Sequence, residues 1–167
     1  MLTGLRTSPL TPDRLIDAAL VLAQAFATHP LHVAMFGRHA LRRNRQFFEH
    51  RLRSEPAGRW LVAVHEERVV GVAHWTRDPR QLRSLERFGT VLLGPLAVLP
   101  ERQRQGIGRI LMTCFCDELD LHRESGVLET ESAALVRFYR RFEFVPVQEA
   151  DRHGIRQFTM VRPALIA

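Results

Sequence analysis

The chain contains no lysine; all 24 of its basic residues are arginine. Without a lysine there is no side-chain amine for a Schiff base and no Gly-Lys-Ser/Thr loop to hold a nucleotide phosphate. Set against 18 acidic residues, the arginines leave a net charge of +6. That excess favours an anionic partner, whether nucleic acid, acidic lipid or a phosphate-bearing cofactor, and does not choose among them. Cysteine is almost as scarce, with only Cys114 and Cys116. Two residues apart in a helical pattern, they face different ways, so they neither staple the fold nor make the Cys-x-x-Cys of a zinc site. Free thiols match a reducing cytoplasm. No apolar run approaches 18 residues and Met1–Pro12 carries no leader pattern, so the expectation is a cytoplasmic protein without a membrane partner.

What is present is ordinary globular material, 46% hydrophobic and 25% charged over 167 residues. This predicts a single domain that builds its core without disulfides or a metal. Thr11-Pro12-Asp13 reads as a helix start, followed by Leu15, Ala18, Ala19, Leu22 and Phe26 at helical spacing and a stop before Pro30. A basic amphipathic helix is predicted over His39–Arg53, with Arg38, Arg42, Arg43, Arg45, Arg51 and Arg53 making the densest positive stretch. Arg59–His65 and Arg68–Thr76, apolar and β-branched around Glu66-Glu67, read as a hairpin. A short helix from Asp78 leads to a buried strand over Leu92–Leu99, which Pro95 should interrupt. A long helix follows from Gly106, then a strand at Val127–Glu131, a helix at Ala133–Phe142, and strands at Phe144–Gln148 and Ile155–Arg162 around a turn at Asp151–Gly154. The order suits a mixed α/β sheet with helices on both faces.

The most informative segment is Leu96–Arg109, LAVLPERQRQGIGR, in which an apolar strand runs through Gln103-Arg104-Gln105-Gly106-Ile107-Gly108 into a helix. Free N–H groups at a helix start and the aligned helix dipole attract phosphate, and glycines permit close approach. Arg102, Arg104 and Arg109 add positive charge. The third glycine of a dinucleotide fingerprint is missing.

This Gln-x-x-Gly-x-Gly, preceded by LGPLAVLPE and followed by LETE and then FYRRFEF, resembles the GNAT superfamily of acyl-CoA-dependent N-acyltransferases, within it the branch that includes puromycin acetyltransferase. The resemblance covers Leu92–Val145, with the hairpin in its expected place. It implies a mixed, mostly antiparallel sheet in one domain over 1–167, with 1–58 as a helical acceptor-side segment and 59–167 as the sheet and CoA-binding core. It implies that Leu96, Ala97 and Val98 pair with the pantetheine arm, and that Gln103, Arg104, Gln105, Gly106, Ile107, Gly108 and Arg109 form the pyrophosphate loop. The sheet would open between Leu92–Leu99 and Val127–Glu131 to take the acyl group. Tyr139 would protonate the departing thiolate. Two positions depart from the pattern: Leu135 stands where relatives carry an asparagine, and Glu143 where they carry a glycine.

Acetylating an amine needs a neutral nucleophile and a proton for the leaving sulfur. Tyr139, the only tyrosine, is a reasonable acid for a thiolate, and packing beside Phe138 and Phe142 is its bland alternative. Glu129, on the partly polar face of VLETE, is the candidate base, and His74 is an alternative base or substrate contact. His29 and His32 straddle Pro30 and share no regular helical face, and no carboxylate joins them, so no metal is expected. The cysteines should be inert. The reading is an acetyl-CoA-dependent transferase acting on a small-molecule amine, with the acceptor site in the first half around Leu31–Phe36, Arg42–Arg53 and Trp75. A catalytically silent acyl-CoA-binding module and a transferase for a protein or peptide amine are the alternatives. A nucleic-acid partner is not expected, because interleaved aromatics for base stacking are missing. A homodimer is left open.

Overall fold

The computed structural model describes residues 3–37, 40–54, 57–152 and 154–165. Expectations for Arg38, His39 and His153 lie outside the described residues. Among these, the chain forms strands β1 (Arg6–Pro9), β2 (Arg59–His65), β3 (Arg68–Thr76), β4 (Val91–Val98), β5 (Gly126–Thr130), β6 (Val145–Arg152) and β7 (Ile155–Arg162). The helices are α1 (Leu15–Ala25), α2 (Pro30–Phe36), α3 (Leu41–Ser54), α4 (Pro79–Leu82), α5 (Ile107–His122) and α6 (Ala133–Arg140). The strands make one mixed sheet in the order β1-β2-β3-β4-β5-β7-β6. β4 and β5 run parallel; β1 with β2, β5 with β7, and β6 with β7 are antiparallel.

Two compact units share the chain: residues 1–74 with 95–111, and residues 75–94 with 112–167. In the first, β2 and β3 are buried along almost their whole length, as their unbroken apolar runs require. Their turn is made by Glu66 and Glu67, with φ of 49° and 61°. Both central residues of a two-residue hairpin turn of this kind need positive φ, here supplied without glycine. α1 buries Ala18, Ala19, Val21, Leu22 and Ala23, and packs on α3, which buries Phe48 and Leu52. In the second unit, Gly126 opens β5 where a Cβ would lie 2.6 Å from Leu119 and 3.1 Å from Phe144. Leu119, Phe115 and Phe144 therefore close directly over the strand.

Several elements differ from expectation. β1 was not anticipated; its four residues RTSP have no strand-like pattern, and β2 supplies the pairing that makes them a strand. Thr11 gives no side-chain cap, and a 3-10 turn over Pro12–Arg14 precedes α1. Pro30 begins α2, because a proline at the first helical position loses no hydrogen bond. Pro95 does not break β4, which stays extended from Val91 to Val98, yet the β4–β5 ladder pairs only Val91–Leu93 with Gly126–Leu128. Gly94, at φ 156°, follows the last paired residue. β6 and β7 reach Arg152 and Ile155, so the expected Asp151–Gly154 turn is shorter.

Candidate active site

β4 alternates along its length: Val91, Leu93, Pro95 and Ala97 are buried, while Leu92, Gly94, Leu96 and Val98 are half-exposed. Leu96, Ala97 and Val98 thus lie beyond the end of the β4–β5 ladder on a strand that remains extended. Chain direction changes at Leu99, whose N–H donates to the Val70 carbonyl at 3.0 Å, and a 3-10 turn over Pro100–Arg102 follows.

Two glutamines staple the loop. Gln103 Nε2 donates to the Val98 carbonyl at 3.2 Å, and Gln105 Nε2 donates to the Glu101 carbonyl at 3.1 Å. Arg104 and Gly106 take left-handed backbones with φ of 59° and 91°. The first bond of α5 runs from Ile110 N–H to the Gly106 carbonyl at 3.1 Å. The N–H groups of the turn before it therefore have no acceptor within the helix, the general condition of a helix start. Gly106, Ile107, Gly108 and Arg109 supply that turn, at the positive end of a 16-residue helix dipole. Among the described residues, Arg102, Arg104 and Arg109 make no ion pair. Helix-start N–H donors in a segment that also carries three arginines suit a pyrophosphate.

Gly71 sets the position of this helix start. A Cβ there would lie 2.8 Å from Ile107 Cγ2 and 3.0 Å from Leu111 Cδ1, so only a glycine lets β3 approach α5 this closely.

Tyr139 and Glu129 belong to the second unit. Tyr139 is buried on α6, against Phe138 and Phe144 at ring separations of 5.3 and 6.3 Å. Burial first, and the Glu131 charge second, push its phenol above the ordinary value, so it stays protonated. Ser132 caps α6 by accepting the Leu135 N–H at 3.4 Å, and Leu135 itself is exposed. Glu129 is half-buried on β5, opposite Thr159 of β7. Glu143 keeps the left-handed backbone of the expected glycine, with φ 65°, and its carboxylate reaches Arg162.

The other candidates sort clearly. His74 is fully buried and stacks on Trp60 at 4.2 Å. Cys116 is buried, and burial raises its thiol to about 11, leaving it protonated and inert. His29 and His32, which the sequence kept apart, have ring centres 5.8 Å apart. His32 sits among Phe26, Phe36, Phe47 and Phe48, with Nδ1 2.8 Å from Asn44 Oδ1. Glu131 and Gln157 are in hydrogen-bond contact at 3.2 Å, an apposition with no local signal because only the β5–β7 pairing creates it. Among the described residues, no group of three or more His, Cys, Asp and Glu is arranged to hold a metal.

The acetyltransferase (GNAT) domain model matches residues 56–146, more than half of the chain. The chain belongs to the GNAT family. Its fold is that of GNAT acetyltransferases of known structure. It is similar to the histone acetyltransferase HPA2 and related acetyltransferase of Corynebacterium glutamicum, at 24% identity over 99% of each chain and a TM-score of 0.86. The ribosomal-protein-S18-alanine N-acetyltransferase of Escherichia coli matches at 18% identity over 98% of this chain and 96% of its own, with a TM-score of 0.70. The PaiA N-acetyltransferase of Thermoplasma acidophilum, solved in complex with coenzyme A, matches at 14% identity over 96% and 99% of the two chains, with a TM-score of 0.69. No curated protein matches the sequence. As a GNAT acetyltransferase the chain is an acyltransferase, and no single helix among its described residues is long and apolar enough to cross a membrane.

Proposed function

We propose that this GNAT domain transfers the acetyl group of acetyl-CoA to a primary amine of a small molecule, by direct attack of the amine on the thioester. The observation that carries the reading is the start of α5, where the Gly106–Arg109 turn offers N–H donors in a segment whose Arg102, Arg104 and Arg109 make no ion pair among the described residues. That chemistry fits the pyrophosphate of CoA. Gln103, Arg104, Gln105, Gly106, Ile107, Gly108 and Arg109 would hold it, and the extended Leu96, Ala97 and Val98 would pair with the pantetheine amides in strand fashion. Residues 1–58 would form the acceptor side and 59–167 the sheet and CoA core of one domain. Two free cysteines support a reducing compartment such as the cytoplasm.

Acetyl-CoA supplies the activated acyl group when bound. The residues of the chain manage protons around it. Glu129 takes a proton from the arriving ammonium, directly or through water, and exposes the nitrogen lone pair. The C–N bond forms as the C–S bond breaks. Tyr139, held protonated by its buried setting, gives its proton to the departing sulfur; the second proton, shed by the acylated nitrogen, restores the phenol through water, and Glu129 releases the first to solvent. Positioning amine and thioester together supplies much of the rate, since effective concentration can be worth roughly 7–11 kcal/mol.

The test is thiol release from acetyl-CoA over polyamines, amino acids, aminoglycosides and short peptides, preceded by a thermal shift with CoA. Stabilisation by CoA and turnover with at least one amine are expected. CoA binding without turnover across the whole panel would replace the transferase with a silent acyl-CoA-binding module.

A further inference from the structure

The β5–β7 ladder ends with Glu129 opposite Thr159 and Thr130 opposite Phe158. Residues directly opposite in an antiparallel pair share a face, as do residues two apart on one strand. Glu129, Thr159 and Gln157 therefore line one face of the two strands, and Glu131 meets Gln157 just past the end of the ladder.

Gln157 is 94% buried, by its 6% exposure, and its amide Nε2 donates to Glu131 Oε1 at 3.2 Å. The direction of that bond fixes the amide: the nitrogen faces the carboxylate, so the carbonyl oxygen faces away from it. That oxygen is buried and has no hydrogen-bond partner among the described residues. A buried acceptor without a donor is a standing cost, offset where water, an ion or a ligand supplies the missing donor. The Glu131 carboxylate is half-exposed, and its charge adds to the burial that raises the Tyr139 phenol. The anionic Glu131 and the dry Gln157 carbonyl oxygen, separated by the width of the Gln157 amide, together suit a cation that carries N–H donors.

We propose that Glu131 and Gln157 form the docking element for the acceptor ammonium: Glu131 offsets its charge and the Gln157 carbonyl oxygen accepts one of its N–H groups. The inference rests on the proposed acetyl transfer and adds the residues that recognise the amine. Glu129, two residues back from Glu131 on the same face, remains the base.

The experiment uses the whole chain with carboxyl-13C glutamate, the Glu131 resonance assigned from Glu131→Gln, and ethylammonium as probe at neutral pH without acetyl-CoA. A saturable shift of the Glu131 resonance is expected, at least tenfold weaker in affinity in Gln157→Leu. Tetramethylammonium, with the same charge and no N–H, should bind several-fold more weakly than ethylammonium. Should Gln157→Leu fold poorly, Gln157→Met serves, and the comparison of the two cations in the unaltered chain stands alone. The proposal is overturned by no saturable Glu131 shift, by equal affinity in the Gln157 variants, or by equal binding of the two cations. Because acetyl-CoA is absent, failure of the thiol-release assay with this shift intact overturns the transferase reading and not the ammonium contact.

Discussion

The Glu143 carboxylate lies 3.1 Å from Arg162 Nη2, and the same guanidinium engages both oxygens of Asp120 at 2.5 and 3.0 Å. Glu143 holds a left-handed backbone at φ 65°, where a residue with a Cβ pays roughly 1–2 kcal/mol. Its side chain is 73% exposed, so the ion pair returns little of that. Glu143→Gly should therefore raise stability by about 0.5–1 kcal/mol, a rise of roughly 2–4 °C in Tm. Arg162→Met, which removes a buried side chain from two carboxylates, should cost about 2 kcal/mol. Thermal and urea melts of both variants check this; a loss in Glu143→Gly would show that the ion pair outweighs the backbone strain.

Gly71→Ala places a methyl 2.8 Å from Ile107 Cγ2 and 3.4 Å from the Ala97 carbonyl, against the first turn of α5 and the strand before it. A stability loss of about 1–3 kcal/mol is expected, together with weaker CoA binding. Ile107→Val should recover part of both. Urea denaturation and CoA titration of the single and double variants measure the coupling.

Gly106 has open space around its missing Cβ, but its φ of 91° does not suit an L side chain. Gly106→Ala should cost about 1 kcal/mol through the backbone and raise the Kd for CoA about tenfold as the N–H groups turn away. Calorimetric titration with CoA reads the second effect directly.

Tyr139→Phe should lower turnover by about two to four orders of magnitude and leave CoA binding within a few-fold of the parent. The same residue sets an alkaline limit. Its folded-state affinity for the proton is raised above the ordinary value of 10.0, so its contribution to stability is complete below pH 10 and is lost as pH rises above that. Urea melts should show the parent losing stability above pH 10 more steeply than Tyr139→Phe does.

His32 works in the opposite direction. Burial, with smaller repulsion from His29 and Arg51, lowers its proton affinity, while the Asn44 bond opposes the shift. The folded state therefore prefers the neutral ring, and stability falls as pH drops below 6.5 toward the lowered folded value. His32→Phe should flatten the acid limb, at a cost of about 1–3 kcal/mol at neutral pH for leaving Asn44 without its ring partner. Melts between pH 7 and 5 give both numbers.

Local pattern located the β2–β3 hairpin to the residue, the run of β4 through the glutamine and glycine loop into α5, and the β5 strand followed by α6. Those features are written in short-range physics: apolar periodicity, glycine and proline placement, and helix starts and stops. They marked out the loop, while the family entered through the resemblance of the motifs in Leu92–Val145. What the tertiary structure decided depends on partners distant in sequence. β1 exists because β2 pairs with it, and Pro95 sits two residues past Leu93, the last β4 residue in the β4–β5 ladder, so it removes no donor from that ladder. His32 finds Asn44 twelve residues on, Arg162 finds Asp120 and Glu143, and Gln157 finds Glu131 across β5 and β7. A side chain's neighbours across a sheet follow from register, and register follows from the packing of the whole chain rather than from any window of it.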